Sequence, residues 1–448
     1  MEQTKTDQWS SKIGFIFASA GAAIGLGAIW KFPYVTGMNG GGAFLLVFII
    51  FTLLIGLPML VSEYIVGRGS GKQATSAYER LAPNSVWKYV GWMGVIGCFL
   101  LLTFYTVVGG WVLVYTLMSL FGFVIQPDAD YAELFGMIIS SPWITPLGTA
   151  AYILINVLVI TAGVKEGIER ACKYMMPLLF IFFMVIVVRA VTLDGAMEGL
   201  IFFLKPDFTS ITAEGFLYAL GQSFFALAVG FSAMVTYSSY LDKNTSLISS
   251  ASWVVVMNII VSILAGLAIF PVVFAFGFEP AEGPGLLFIV LPAAFSQIPL
   301  GEFFLALFLI LFLFASLTSS FQLIETIVAA ITDRRNLPRK KVTWTTGLVI
   351  FIASIPAGLS SGVLSDVMLF NKNIFDITDY LVSNIILPLG ALLICLFVII
   401  KMDRNIIREQ FHLGTNVPSG LYQTWWGLMR FVVPITIVIV FLSTIGII

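Results

Sequence analysis

Eleven long apolar segments alternate with polar loops along the chain. Because about 20 apolar residues cross a bilayer as one helix, the pattern predicts an all-α, polytopic membrane protein with about eleven transmembrane helices. The third and eighth segments are long enough to tilt or to project from the membrane. The predicted spans are residues 13–37, 42–67, 88–124, 143–162, 172–192, 215–240, 247–277, 300–332, 342–360, 375–400 and 424–446.

Two of these spans contain a stretch that weakens a helix. Residues 21–27 read GAAIGLG in the first span, and residues 226–232 read ALAVGFS in the sixth. Interrupted segments in matching positions of two halves point to a midplane binding site in a secondary transporter. The alternative is that the glycines only permit close helix packing, which is common in membrane bundles.

The spacing of the two broken spans also predicts how the chain is organised. The breaks lie five spans apart, as expected if a single transporter domain over residues 1–448 contains two inverted repeats. The repeats would cover about residues 13–192 and 215–400, with an extra helix at 424–446.

Composition narrows the class of protein further. The chain is 59% hydrophobic and 10% charged with a net charge of −1, so no basic surface for nucleic acid is expected. Cys98, Cys172 and Cys395 are far apart and are predicted to be packed thiols. No phosphate-binding loop, catalytic triad or metal cluster is evident in the sequence, which argues against an enzyme.

The charged loops predict the orientation in the membrane. The loops on one side of the membrane carry the basic residues Arg68, Lys72, Arg80, Lys88, Lys165, Arg170, Lys173, Arg334, Arg335, Arg339, Lys340, Lys341, Lys401, Arg404 and Arg408. The loops on the other side carry acidic residues, which include Asp128, Glu133, Glu279 and Glu282. By the positive-inside rule, we expect a plasma-membrane protein whose N-terminus lies in the cytoplasm and whose C-terminus lies outside the cell.

Four motifs occur in order along the chain: WSSKIGFIFASAGAAIGLGAIWKFPY, NGGGAF, GQSFFALAVGFSAMVTYSSY and FASLTSS. Together they resemble those of the neurotransmitter:sodium symporter (solute carrier 6) family. The resemblance runs from Trp9 to the last span and implies the fold of the bacterial leucine transporter, in an eleven-span bacterial form. That fold is itself a worked example of inverted repeats with broken helices.

The resemblance implies one intact sodium site. In the family, carbonyls of the first and eighth spans and two hydroxyls bind this ion, and all five matching positions can supply such oxygens. Thr318 and Ser319 could alternatively bond back to their own helix. The matching positions are Gly21, Ile24, Ala315, Thr318 and Ser319.

The resemblance implies that the second sodium site of the family is degraded in this chain. Ala28 stands where the family has Asn, and Ala226 where it has Thr, which leaves only the Ala23 carbonyl and Asn258. A methyl group cannot coordinate sodium. Since the carboxylate of amino-acid substrates completes this site in relatives, its loss weakens the case for a carboxylated substrate.

The matching substrate pocket is apolar and aromatic, with few hydrogen-bonding groups. Ala22 and Ala228 replace polar residues of the leucine transporter, and Gly25 stands where monoamine transporters carry Asp. The full set of matching positions is Ala22, Gly25, Leu26, Gly27, Leu101, Tyr105, Phe225, Ala228, Phe231, Ser319 and Leu323.

The resemblance also implies gates on both sides. Phe225 matches an aromatic lid, and Lys31 and Asp379 match an external Arg–Asp pair, although lysine lacks the bidentate geometry of arginine. On the inside, Trp9 and Asp333 match. The arginine partner is replaced there by Thr6, with Lys5 as a substitute.

Three further features complete the expectations. Gly167 and Pro177 match a motif that lets the fifth span unwind and admit water to the intact sodium site. Glu63 matches a buried acid of the second span, which either hydrogen-bonds the broken helices or carries a proton. Chloride is not expected as a partner, because Phe48 and Ala226 replace hydroxyl ligands of the animal relatives.

Together these features predict a secondary active, sodium-coupled symporter for a small hydrophobic or aromatic solute, with alternating access. The substrate is either a neutral hydrophobic or aromatic amino acid or a carboxylate-free aromatic such as an indole-like compound. Two other hypotheses stay open: a proton-coupled or uncoupled facilitator using Glu63 or Lys31, and a non-transporting membrane sensor with the same pocket.

Overall fold

The computed structural model describes residues 8–126, 129–278, 283, 285–415 and 417–447. Thr6, Lys5, Asp128, Glu279 and Glu282 lie outside the described residues. Helices account for most of the described chain, and its only β-pairing consists of the isolated bridges Gly41–Pro206 and Leu369–Lys372. The fold class is therefore all-α, as the apolar pattern predicts.

Ten of the predicted spans appear as helices of membrane-crossing length. The first span is a bent pair, Lys12–Ala23 and Gly27–Met38, whose axes differ by 52°. In the described chain the other nine are Gly42–Ser70, Lys88–Leu120, Ile144–Thr161, Val164–Val191, Leu247–Ala275, Gly301–Arg335, Arg339–Gly358, Ile374–Lys401 and Ser419–Thr444.

The sixth predicted span is divided into two short helices, Ala213–Phe225 and Ala233–Ser239. Between them the backbone is irregular over residues 226–232. Each half is too short to cross a bilayer alone, but together they account for the predicted segment. All eleven apolar segments are thus helical, and the two with weakened sequences are the two that break.

The fifth span differs most from its predicted bounds. It begins at Val164 rather than near residue 172, because its first turn, Val164–Glu169, is a π-helical segment containing charged residues. The helix then continues as Arg170–Val191 and includes Pro177. Charged residues at its start carry the signature of a loop, which is why the apolar pattern places the start too late.

Five shorter helices lie in the connections between spans. Two of them are capped by aspartate: Asp130 accepts from the Ala132 and Glu133 amides, and Asp403 accepts from the Asn405 amide. All five are too short to cross a bilayer, so a search for spans does not identify them, although Tyr131–Ser140 and Leu286–Ser296 are apolar. They are Ala74–Leu81, Tyr131–Ser140, Ala196–Leu204, Leu286–Ser296 and Arg404–His412.

The two longest helices, Lys88–Leu120 and Gly301–Arg335, pack against each other at the centre of the molecule. The fourth span packs against both of them, and its buried polar side chains contact the eighth span, where Ser320 Oγ lies 2.6 Å from Asn156 Oδ1 and 3.0 Å from Tyr152 Oη. The inner half of the first span lies against the fifth, seventh and eighth spans. This packing brings the broken helices to the middle of the bundle.

Candidate functional site between the two broken helices

The break in the first span occupies residues 24–26. Ile24 leaves the helical conformation (φ −88°, ψ 74°) while its amide still donates to the Ala20 carbonyl over 2.7 Å. Helical structure resumes at Gly27. The break therefore exposes backbone carbonyls at the end of the inner half and backbone amides at the start of the outer half.

The break in the sixth span is held open by its neighbours. Three of its residues, Ala228, Gly230 and Ser232, have positive φ angles. The Gly230 amide donates to Glu63 Oε1 over 2.7 Å, and Gln222 Nε2 donates over 2.7 Å to the Gly27 carbonyl of the other break. Glu63 thus satisfies a backbone amide that unwinding sets free. Gln222 adds a bond between the two broken spans, to a carbonyl that also accepts from the Phe32 amide of its own helix.

Glu63 is fully buried, and the structure places it against the sixth-span break. Its second carboxylate oxygen, Oε2, has no hydrogen-bond partner among the residues that the structure describes. The hydrogen-bonding role expected of this acid therefore has a defined partner, the Gly230 amide.

Four of the five predicted sodium ligands lie together. Ser319 Oγ donates to the carbonyls of Gly21 and Ala22 over 3.0 and 2.9 Å, and Thr318 Oγ1 is 3.0 Å from the Gly21 carbonyl. Thr318 Oγ1 also lies 3.0 Å from the Ala315 carbonyl, so back-bonding to its own helix and contact with the first span coexist. Ile24, the fifth predicted ligand, is buried at the adjacent break.

At the second predicted ion site, the Asn258 side chain bridges the two breaks. Its Nδ2 donates to the Ala226 carbonyl over 2.8 Å and to the Ala23 carbonyl over 3.3 Å. Ala28 and Ala226 are fully buried. Within the described chain, Asn258 Oδ1 has no hydrogen-bond partner. The two residues predicted to remain of this site, Ala23 and Asn258, are therefore in contact with each other.

A cavity of about 40 Å³ lies between the two breaks, and all eleven predicted substrate positions line it. Ala23, Gln322 and Leu387 line it as well; Ala23 belongs to the second predicted ion site, whereas Gln322 and Leu387 are not among the predicted residues. Gln322 matters most, because its Nε2 contacts only Met234 Sδ, at 3.0 Å, and its buried Oε1 has no partner in the described residues. It adds a third neutral polar side chain to those of Tyr105 and Ser319.

Gly25 lies directly against the polar side of this cavity. A Cβ at this position would be 2.2 Å from Ser319 Oγ and 2.9 Å from the Tyr105 hydroxyl. The Tyr105 hydroxyl donates to the Ser316 carbonyl over 3.2 Å. The packing around Gly25 therefore leaves no room for a side chain such as the aspartate that monoamine transporters carry at the matching position.

A second cavity, of about 150 Å³, lies outside Phe225 and is lined by Lys31 and Asp379 among others. Lys31 Nζ is 4.5 Å from the centre of the Phe225 ring, and Asp379 accepts from Ser383 Oγ over 2.7 Å. In the described chain the two predicted gate residues form no ion pair with each other. The lone ammonium of lysine instead makes a cation–π contact with the predicted lid.

The inner gate residues are also in contact with defined partners. Trp9 Nε1 donates to the Tyr237 carbonyl over 2.8 Å. Asp333 forms a 3.3 Å ion pair with Lys72 and accepts from Gln73 and Ser76. Lys72 thus supplies a cation to Asp333.

An inner polar network escaped the sequence analysis. Arg339 Nη1 donates to Glu325 Oε1 over 3.0 Å, and the Tyr240 hydroxyl donates to the same oxygen over 2.9 Å. Glu325 is fully buried in the eighth span. An acidic residue within an apolar segment indicates that its carboxylate has a partner in the fold. The sequence alone does not identify Arg339 as that partner.

Taken together, the fold and the site define a class of protein: a polytopic membrane transporter with its site at two broken helices. A comparison with protein families matches residues 6–125 and 144–447 to the sodium:neurotransmitter symporter family. The chain belongs to this family, whose members are sodium-coupled transporters and not enzymes.

Similar proteins support the same assignment over the full length. An uncharacterized sodium-dependent transporter of Bacillus subtilis, YhdH, is 52% identical over 448 residues, which cover 100% of this chain and 99% of the relative. An uncharacterized sodium-dependent transporter of Haemophilus influenzae is 38% identical, with 97% of each chain covered. The solved structure of MhsT in complex with L-phenylalanine is 39% identical with a TM-score of 0.91, covering 98% of this chain and 100% of MhsT.

Proposed function

We propose that this sodium-dependent symporter carries a small aromatic solute without a carboxylate, such as an indole-like compound, together with one sodium ion. The observation that carries the proposal is the pair of fully buried methyl groups at Ala28 and Ala226, where the family resemblance leads us to expect side-chain oxygen ligands. Only the Ala23 carbonyl and Asn258 remain of the expected second ion site, and a methyl group cannot coordinate sodium.

The proposed single ion binds at the oxygen cluster of the first and eighth spans. The Thr318 hydroxyl lies 3.0 Å from both the Gly21 and the Ala315 carbonyls, and the Ser319 hydroxyl lies 3.0 Å from the Gly21 carbonyl. Oxygen atoms of this kind are the preferred ligands of hard cations. When sodium binds, the hydroxyl hydrogens turn away and the same oxygen lone pairs face the ion.

The absence of a carboxylate follows from the charges around the cavity. Its polar side chains, Tyr105, Ser319 and Gln322, are neutral. Lys31 lies outside the lid, against Phe225. A carboxylate in such a dry cavity, with neither a cationic side chain nor a second sodium, costs several kcal/mol.

A neutral aromatic amino acid is the second candidate substrate. MhsT, 39% identical to this chain, was solved with L-phenylalanine. The start of the outer half-helix at Leu26 and Gly27 offers backbone amides to an acid group, which helix N-termini favour. For an amino-acid substrate, these two amides have to stabilise the carboxylate that a second sodium ion stabilises in relatives.

Alternating access completes the proposal. The two inverted repeats, about residues 13–192 and 215–400, move relative to each other, with a cytoplasmic N-terminus, an extracellular C-terminus and no role for chloride. Phe225, Lys31 and Asp379 close the outside, while Trp9 and Asp333 close the inside. The fifth span unwinds between Gly167 and Pro177 to release sodium.

Thermal unfolding of the purified protein with tryptophan, tryptamine and indole, each in sodium and in choline, tests this function. Indole is expected to raise the melting temperature most, and only in sodium. Thr318→Val should abolish the sodium-dependent rise in melting temperature with indole. Thr326→Val should preserve it, because this buried threonine of the same helix bonds to the Gln322 carbonyl one turn earlier. Equal stabilisation by indole in choline and in sodium would refute sodium coupling. A stabilisation that depends on pH and is lost in Glu63→Gln would favour proton coupling instead.

A further inference from the structure

Glu169 is a buried acid for which the proposed transport function has no role so far. It is the last residue of the π-helical turn Val164–Glu169, at the inner end of the fifth span. Its side chain is 1% exposed, although Glu166, three residues earlier in the same turn, is exposed to solvent. Burial of a carboxylate at the polar end of a span requires partners.

Those partners come from the residues that precede the first span. The Glu169 carboxylate accepts from the Ser10 amide over 2.7 Å, from Ser10 Oγ over 2.5 Å and from Ser11 Oγ over 3.2 Å. Lys173, one turn further along the fifth span, pairs with it over 2.7 Å and also reaches Ser10 Oγ. Charge-assisted bonds of this kind are stronger than neutral ones.

The carboxylate also sits at the start of the first-span helix. Ser11 is the N-cap of the helix Lys12–Ala23, and its hydroxyl accepts from the Gly14 amide over 3.0 Å. A Cβ at Gly14 would lie 1.9 Å from Glu169 Oε1, so the missing side chain makes room for the acid. A negative charge at this end is favoured by the helix dipole.

The other end of the same half-helix supplies the sodium site. Its Gly21 carbonyl meets Thr318 and Ser319 only two residues before the helix ends at Ala23. The inner half of the first span is therefore held at its start by Glu169 and near its end by the sodium-site hydroxyls. Movement of one end of a 12-residue helix displaces the other.

We propose that Glu169 is a positioning residue whose carboxylate latches the inner half of the first span to the fifth span. The latch keeps the inner face shut and holds the Gly21 carbonyl at the sodium site. Releasing it lets the half-helix swing away and opens the sodium site to the inside. This inference rests on the proposed function for its effect on sodium, but not for its effect on opening.

Cys172 provides a reporter of that opening within the native chain. It is fully buried, follows Glu169 by three residues and so lies on the same face of the fifth-span helix. Cys98 and Cys395 are also free and buried, and both can be replaced by alanine to leave one thiol. The rate at which N-ethylmaleimide labels Cys172 then measures how often the inner half of the first span moves away.

The test compares Glu169→Gln with Glu166→Gln in this single-cysteine protein. Glu169→Gln is expected to raise the labelling rate about tenfold without sodium, and to raise the sodium concentration for half-maximal ligand binding by a similar factor. Glu166→Gln removes the same charge from the same turn and should change neither. If both variants label at the wild-type rate, Glu169 is no latch.

Two further variants protect the test against a protein that fails to fold. Ser10→Ala removes the hydroxyl contacts with Glu169 and Lys173 but keeps the amide contact, and it should raise labelling about threefold. Glu169→Asp, which is shorter by one methylene, should raise labelling more. If neither variant increases labelling, the latch is refuted. If labelling rises in the variants while sodium affects neither binding nor labelling, the latch stands and the proposed sodium coupling fails.

Discussion

At the scale of single residues, the second predicted ion site has methyl groups where the family resemblance leads us to expect oxygen ligands. Ala28 and Ala226 are fully buried, and the Asn258 amide donates to the carbonyls of Ala23 and Ala226. The two alanines supply no side-chain oxygen. We therefore propose a pocket that stabilises neither a second cation nor the carboxylate that would accompany it.

Restoring the missing oxygens tests this account. Ala28→Asn combined with Ala226→Thr supplies the two absent side-chain ligands next to the Ala23 carbonyl. Tryptophan binding in sodium is expected to improve by about tenfold or more, with no gain in choline, because sodium and the carboxylate bind together. Isothermal titration calorimetry measures both.

The control for this experiment is Ala28→Leu with Ala226→Val, which adds similar volume without the oxygens. This pair should gain no affinity for tryptophan. A folded Asn/Thr variant that binds neither sodium nor tryptophan more tightly than the Leu/Val pair would contradict the proposal that the missing oxygen ligands exclude a second sodium ion and a substrate carboxylate.

At the scale of elements, the two breaks depend on contacts from neighbouring helices. Gly230 adopts φ +108°, donates its amide to Glu63, and approaches the tenth span so closely that a Cβ would lie 2.7 Å from the Leu387 carbonyl. Only glycine adopts this conformation without strain. The shape of the sixth-span break therefore depends on one residue and on the acid that holds it.

Gly230→Ala should lower the free energy of unfolding by about 1–3 kcal/mol and weaken aromatic ligand binding, because Ala228 and Phe231 of the same break line the cavity. Melting curves in detergent and ligand titrations measure the two effects. Gly221→Ala serves as the comparison. It lies in the preceding helix, where a Cβ meets nothing closer than 3.8 Å, and it should be neutral or stabilising. Equal behaviour of the two variants would show that the break is not strained.

The elements also show what the sequence can and cannot predict. Long apolar runs identify all eleven spans, and paired glycine-rich stretches identify both breaks, because these signals are local. The π-helical turn Val164–Glu169 and the helix Arg404–His412 were missed because charged residues conceal them. The partnerships of Glu169 with Ser10 and of Glu325 with Arg339 join distant segments, and no local pattern encodes them.

The candidate pocket was predictable for a different reason. Eleven positions transferred from the family resemblance converge on one cavity, since the fold is shared. Gln322 was missed because a glutamine within an apolar helix has no periodic signature of its own. Lys31 contacts the Phe225 ring and not Asp379, its predicted partner. This choice depends on side-chain conformation, which a family resemblance does not specify.

At the scale of the whole molecule, the distribution of basic loops predicts that the N-terminal side faces the cytoplasm. Cysteine substitution tests this prediction, since the three native thiols are buried. Ser210→Cys, between the fifth and sixth spans, should react with a membrane-impermeant maleimide added to intact cells. Asn336→Cys, between the eighth and ninth, should react only after the membrane is opened. The reverse pattern would invert the topology.

The central claim, one sodium ion moved with one carboxylate-free aromatic solute, predicts a net charge crossing the membrane in every cycle. Solid-supported-membrane recordings on proteoliposomes measure that charge directly. A concentration jump of indole should evoke a current in sodium but not in choline, with a Hill coefficient for sodium of about 1, and tryptophan should evoke little. Larger currents with tryptophan and a Hill coefficient near 2, or an indole current unaffected by replacing sodium, would contradict the account.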